Sequence, residues 1–430
     1  MKIKIALLSL SMVSFAAADA TIYITGATAF RTAAINAIAG SFTGAFTAGY
    51  NSGSLRGGSL SAFKGSISGI SGTTRIYCAW NGSVEGIKAI HNADPLSFLA
   101  GDPPATPAGV SDGTGGGIMT TTELKKAQFA FSDVSSASTP YTTNTLYPGL
   151  PAVGVIAFSW MINNGGNANV DGITSQTASA LIGNGALPLS AWTSLETDRT
   201  SHFVYLTGRN DGSGTRTTVF AESGFSISAL AKQWKPTVSG GSTSSISTLQ
   251  LWPTGDVVAG PPIVDNRSTV WNVDTDGNGG FSSGGSITAS MRATSSLVQR
   301  KTASGTNLGG QVALTLVGYQ SASDAFASQA AGTPGRLLKY NGADALTYVT
   351  TPSNSLSPGA IASIVQGKYT LWGYENLYSI LDLDDSANLD AKNVYDKIKA
   401  GCTATNLGLS GVELGLMKVG RSQDGGTVAP

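Results

Sequence analysis

Short apolar runs recur along this chain, and several are followed at once by small and hydroxyl residues and then by apolar positions at helical spacing. Thr21 to Ile24 reads as a strand, Thr25-Gly26-Ala27-Thr28-Ala29-Phe30 as the loop after it, and Arg31 to Ile38 as a helix. Thr74 to Trp80 predicts a second strand, and the segment opening at Asn81-Gly82-Ser83 predicts a helix with Ser83 in the N-cap position. Phe203-Val204-Tyr205-Leu206 predicts a third strand, leading into the loop Arg209-Asn210-Asp211-Gly212-Ser213-Gly214-Thr215 and another helix start. Val153 to Ile162 and Val312 to Val317 are continuous apolar runs, the pattern of strands covered on both faces.

Other stretches are less periodic. Residues 43 to 74 are Gly/Ser-rich and read as surface loops or a ragged insertion, and 92 to 120 as a long loop. Thr121 to Lys126 looks helical, and Ala127 to Phe131 is a strand running straight into Ser132-Asp133. Ala360 to Val365 and Val394 to Ile398 look like helices, and the polar tail from Gly420 is expected to be loose. Strands alternating with helices predict an α/β protein. The two long strands read as crossings between a middle lobe, 156–316, and a lobe made of both chain ends, 21–155 and 317–430, with a cleft between them.

Composition narrows the function. Lys and Arg number 26, as do Asp and Glu, with no basic run, which argues against a nucleic-acid partner. Residues 1–20 carry Lys2 and Lys4, an apolar run from Ile5 to Phe15, and then Ala16-Ala17-Ala18-Asp19-Ala20, the layout of a secretory signal peptide cleaved after Ala18 or Ala20. No cysteine stands directly after the cleavage region, so no lipid anchor is expected, and the mature chain should be periplasmic or secreted. Cys78 and Cys402 read equally as one bridge in an oxidising compartment or as two separately buried thiols. His91 and His202 lack a metal-ligand partner at useful spacing. Asp274, Asp276 and Asn278 open like a calcium loop, but Gly285 stands where the bidentate Glu is required, so an Asx-rich turn is the rival reading. Neither a cofactor nor a metal is expected.

The candidate chemistry centres on Arg209 to Thr215. A fixed cation, two hydroxyls and two glycines ahead of a helix suit an oxyanion: Arg209 can bind it bidentately, Ser213 and Thr215 offer hydroxyls, and the helix start offers unpaired N–H groups. Ordinary turn chemistry gives the same letters. Ser213 lacks the Gly-x-Ser-x-Gly frame of a nucleophile and neither histidine pairs with it by spacing, so no enzyme is expected.

Taken in order, Thr25 to Phe30, Gly82 to Lys88, Phe129 to Asp133 and Arg209 to Thr215, with the later Gly367-Lys368-Tyr369-Thr370-Leu371-Trp372, resemble the PstS-like phosphate-binding periplasmic proteins of ABC transporters. The resemblance implies a type II two-lobed fold, each lobe a mixed sheet flanked by helices. It also implies inorganic phosphate held by hydrogen bonds in the cleft, and delivery by a monomer to a membrane permease. On it, Phe30 donates a backbone N–H, Ser83 a hydroxyl, and Arg209 its guanidinium. Ser213, Gly214 and Thr215 supply hydroxyl and N–H donors, and Asp211 holds Arg209 in place. Asp133 selects a ligand that still carries a proton, because an ionised carboxylate only accepts; sulfate would face it unpaired. This chain departs from the family where Ala29 replaces the Thr before Phe30, with Thr28 one place earlier, and in the longer spacing from Ser83 to Asp133. The alternatives are a binder of another oxyanion and an exported structural or adhesive protein that kept the fold.

Overall fold

The computed structural model describes residues 19–104, 116–141, 152–240, 244–253, 276–295, 297–329, 334–351 and 354–430. The expected signal peptide up to residue 18, and Asp274 and Thr275 of the calcium-like loop, lie outside them.

The architecture is mixed α/β, a sheet of 16 strands with helices against both of its faces. Its N-terminal part is built on parallel pairing: Ala20–Gly26 lies between Thr74–Ala79 and Phe129–Ser132 and runs parallel to both. Their carboxyl ends therefore open onto one rim, the usual location of ligand contacts in such sheets. Alternation of side chains divides these strands between two cores. Ile22, Ile24, Ile76, Cys78, Phe129 and Phe131 pack with Ala33, Ala34, Ile35 and Ile38 of the helix Arg31–Gly40. Ala79 and Ala130 instead face Val84, Ile87 and Ile90 of the helix Ser83–Asn92. Each fully covered Ile or Phe contributes about 1.5–3 kcal/mol, so both helices are fastened mainly by their apolar sides. Gly86 allows the second helix to sit directly on the sheet, since a Cβ there would come within 2.7 Å of Gly26 Cα.

Ala152–Ile162 joins the two halves of the sheet. Residues 152–157 pair antiparallel with Trp372–Ser379, whereas Phe158 to Ile162 pair antiparallel with Val312–Ser321. Ten of its 11 residues are buried, as the unbroken apolar run demands. On the far side, His202–Thr207 runs parallel to Val312–Ser321 and delivers Arg209 to the rim. Beyond residue 316 the chain returns to the middle segment: Arg336–Leu337 pairs with Ala152–Ile162, and Lys339–Tyr340 with Gly172–Ile173.

Several local expectations are overturned. Thr122–Lys126 is a strand, paired antiparallel with Pro95–Leu99; cross-strand pairing overrides the helix propensity of its Glu, Leu and Lys. Within 43–74, Thr47–Tyr50 and Leu60–Gly65 are strands of the main sheet. The tail is packed. Arg421 pairs with Glu222 at 2.8 Å and stacks on Trp372, while Asp424 accepts from Ser135 N at 2.8 Å. Cys78 and Cys402 are separately buried free thiols, the second donating to Ile398 O. Asn278 directs its side-chain oxygen to Arg216 and to Ala231 N, which removes one of the three oxygens the calcium reading needs. Among the described residues no helix is long and apolar enough to cross a membrane.

Candidate functional site

Four loops meet at the rim. The first follows Ala20–Gly26, and Phe30, fully buried, stands at the N-cap of the Arg31–Gly40 helix with Ala29 buried beside it. The second enters the Ser83–Asn92 helix through Gly82, whose φ of 113° only glycine adopts without strain. Gly82, and not Ser83, is therefore the N-cap; Ser83 is the first helical residue, buried, with its hydroxyl directed to Asp133. The third is Asp133, directly after Phe129–Ser132. The fourth is the Arg209 loop, ending at Ser213, which caps the helix Gly214–Glu222 by accepting from Arg216 N.

These loops interlock. Ser83 Oγ donates to Asp133 Oδ1, and Thr215 Oγ1 lies 3.5 Å from Asp133 Oδ2. Thr218 Oγ1 donates to the Asp133 carbonyl at 3.3 Å. Gly214 is required at its place, because a Cβ there would collide with the Asp133 carboxylate and with Ser83. Gly212 O accepts from Val84 N at 3.2 Å and Glu85 N at 3.4 Å, so the Arg209 loop itself occupies free amides of the Ser83 helix.

Arg209 is 1% exposed. Its Nε donates to Phe281 O at 3.0 Å, and its Nη2 to Ser282 O at 2.9 Å and Thr28 Oγ1 at 3.0 Å. Thr28, despite its shifted place in the loop, thus contributes a hydroxyl to the site, as an acceptor. Asp211 does not hold Arg209. It is half-buried in the turn before Gly212, and the backbone carbonyls of Phe281 and Ser282 do that work. Arg209 Nη1 is buried without a partner among the described residues. An unsatisfied guanidinium nitrogen at this depth carries a cost of about 1–3 kcal/mol, which an oxyanion would remove.

Burial pushes the Asp133 carboxyl up to about 6, opposed by the Ser83 hydrogen bond and the Arg209 charge. Burial also lowers the Arg209 pKa, against the stabilising charges of Asp324 and Asp133. The arrangement is thus a buried cation with an open donor, a buried carboxylate that still ionises below neutral pH, and a helix N-terminus against the carboxylate. It can take an oxyanion that accepts from Arg209 and donates a proton to Asp133.

Several participants carry no local sequence signal. Phe281 and Ser282 act through backbone carbonyls. Arg31 and Asp324 lie far apart in the chain, and both are felt by Arg209 through their charges. Gly280 is the one hint: a Cβ there would collide with the Arg209 backbone, and the loop therefore pairs Arg209 with Phe281.

No family model matches the chain, and no curated protein does. Among solved structures, it is similar to the crystal structure of an ABC-type phosphate transport receptor from Vibrio cholerae. The two share 10% identity over 88% of this chain and 94% of that one, with a TM-score of 0.40. A likeness this remote carries no argument about ligand or transport.

Proposed function

We propose that this chain is an exported solute-binding protein that captures inorganic phosphate, as a monomer and without cofactor or catalysis, for an ABC-type permease. The observation that carries this function is Arg209 itself, a guanidinium 1% exposed that keeps Nη1 unpartnered beside a buried carboxylate. A bare cation would be an expensive core residue; as half of an anion site its burial has a purpose. Gly214 and Thr215 supply the helix N-terminus, and Phe30 a second one. Asp133 then favours phosphate over sulfate, because only phosphate brings a proton to it near neutral pH.

A second function is favoured by one observation. Ser83 Oγ and the amides of Val84 and Glu85 already bond to protein groups, as they would in an exported structural protein that kept the fold. The two functions separate in equilibrium dialysis with labelled phosphate. Capture predicts saturable binding that falls by about a hundredfold or more in Arg209→Ala, since a charge-assisted contact is lost and Asp133 is left without its cation. Undiminished binding by the variant would remove Arg209 from the site, and no binding by the wild type would favour the structural role.

A further inference from the structure

Beyond Arg209 the rim holds a second guanidinium. Arg31 is the first residue of its helix, next to Phe30; its Nη1 donates to Gly58 O at 3.2 Å, and its Nε is buried without a partner among the described residues. The unpartnered nitrogens Arg31 Nε and Arg209 Nη1 therefore belong to residues tied to one loop, since Arg209 Nη2 bonds Thr28, three residues before Arg31. The same Nη2 bonds Ser282 O, and Ser283 then caps the helix Gly284–Arg292. Asp324 lies against the start of that helix, so close that a Cβ on Gly284 would collide with its Oδ2. Asp324 and both arginines feel one another's charge.

The local role of Asp324 is at a helix start: the N-cap Ser321 Oγ accepts from Asp324 N at 3.3 Å and donates to its Oδ2 at 2.8 Å. A cap does not explain why a carboxylate lies within range of two guanidinium groups that each keep a nitrogen open. Burial raises the Asp324 pKa, opposed by the Ser321 hydrogen bond and the charges of Arg209 and Arg31; when it and Asp133 are both ionised, two negative charges stand against two positive ones. Such a site is neutral before it binds, and each added charge on a ligand meets less net attraction than Arg209 and Arg31 alone would provide.

We infer that Arg31 is a second cation for the bound oxyanion and that Asp324 is its built-in counter-anion, which lowers affinity and selects for the less charged ligand. This rests on the anion-binding function proposed above. The sign for Asp324 is opposite to that of a supporting residue: removing its charge should improve binding.

Calorimetric titration of the whole mature chain with inorganic phosphate, and separately with sulfate, tests this in the wild type, Arg31→Gln, Arg31→Lys and Asp324→Asn, with thermal unfolding of each. Expected are a loss of about tenfold for phosphate in Arg31→Gln, recovered largely in Arg31→Lys, and a gain of about tenfold in Asp324→Asn, larger for sulfate than for phosphate. Phosphate binding by Arg31→Gln equal to a binding wild type overturns the inference alone. So does an Asp324→Asn variant that melts earlier and binds no better, which is the result for a helix cap only. If Asp324→Asn does not fold, the two Arg31 variants still decide. A wild type that binds neither anion overturns the anion function, and this inference with it.

Discussion

Asp133 and Glu375 are both buried acids, 1% and 0% exposed, close enough that the charge of one is felt by the other, yet they are handled in opposite ways. Asp133 receives the Ser83 hydroxyl, has Thr215 at 3.5 Å and senses Arg209, so it ionises with a pKa of about 6. Glu375, on Trp372–Ser379 at the point where the register with Ala152–Ile162 shifts, has no hydrogen-bond partner on either carboxyl oxygen among the described residues. Burial first, and then the Asp133 charge, raises its pKa well above the ordinary value, which favours the neutral acid. Equal burial therefore does not decide the state of a carboxyl; the donors around it do. In a third acid, Glu222, burial raises the pKa but is opposed by Arg421, the two side chains being 8% and 1% exposed.

This contrast can be broken at each of the three acids. Arg421→Ala would leave Glu222 like Glu375, buried without its cation, and would free the tail. We expect a loss of about 3–5 kcal/mol in chemical denaturation, and a loss below about 1 kcal/mol would show that the pair is effectively solvated. Asp133→Asn replaces an obligatory acceptor by a group that also donates. Sulfate binding should then rise by about a hundredfold, equivalent to about 2.7 kcal/mol, in competition titrations against phosphate; unchanged selectivity would take Asp133 out of discrimination. Glu375→Gln addresses the acid without donors. Because its folded pKa is raised, its contribution is fully present below the unfolded carboxyl value near 4.5 and is lost as pH rises toward the folded value, with a slope of up to about 1.4 kcal/mol per pH unit. Denaturation curves at several pH values should show that slope in the wild type and its absence in Glu375→Gln. The smallest effect concerns Asp133 in the wild type. As pH falls through about 6 it gains a proton, and weak sulfate binding, a few-fold stronger than at neutral pH, should emerge in the same titrations.

Much of the framework was legible because its signals are local. An unbroken apolar run marks Ala152–Ile162, and an apolar run followed by Gly and hydroxyls marks the loops at Thr28, Ser83 and Arg209. What escaped depends on contacts distant in sequence. Thr122–Lys126 is a strand only because Pro95–Leu99 pairs with it, and the tail is ordered by Glu222 and Trp372, about 200 and 50 residues away. Sequence alone points to Asp211 as the support of Arg209, because Phe281 and Ser282 act through carbonyls that any residue possesses. Arg31 and Asp324 escape for a related reason: in sequence Arg31 is an ordinary first residue of a helix, and Asp324 follows an ordinary N-cap pattern.

In the proposed capture function, an ionised Asp133 and an open Arg209 together take an oxyanion that still carries a proton. Calorimetric titration of the mature, anion-free protein at neutral pH, first with phosphate and then with sulfate, tests it most directly. Saturable one-to-one binding of phosphate with no heat from sulfate is the predicted result. Equal binding of both anions, or of neither, would contradict it.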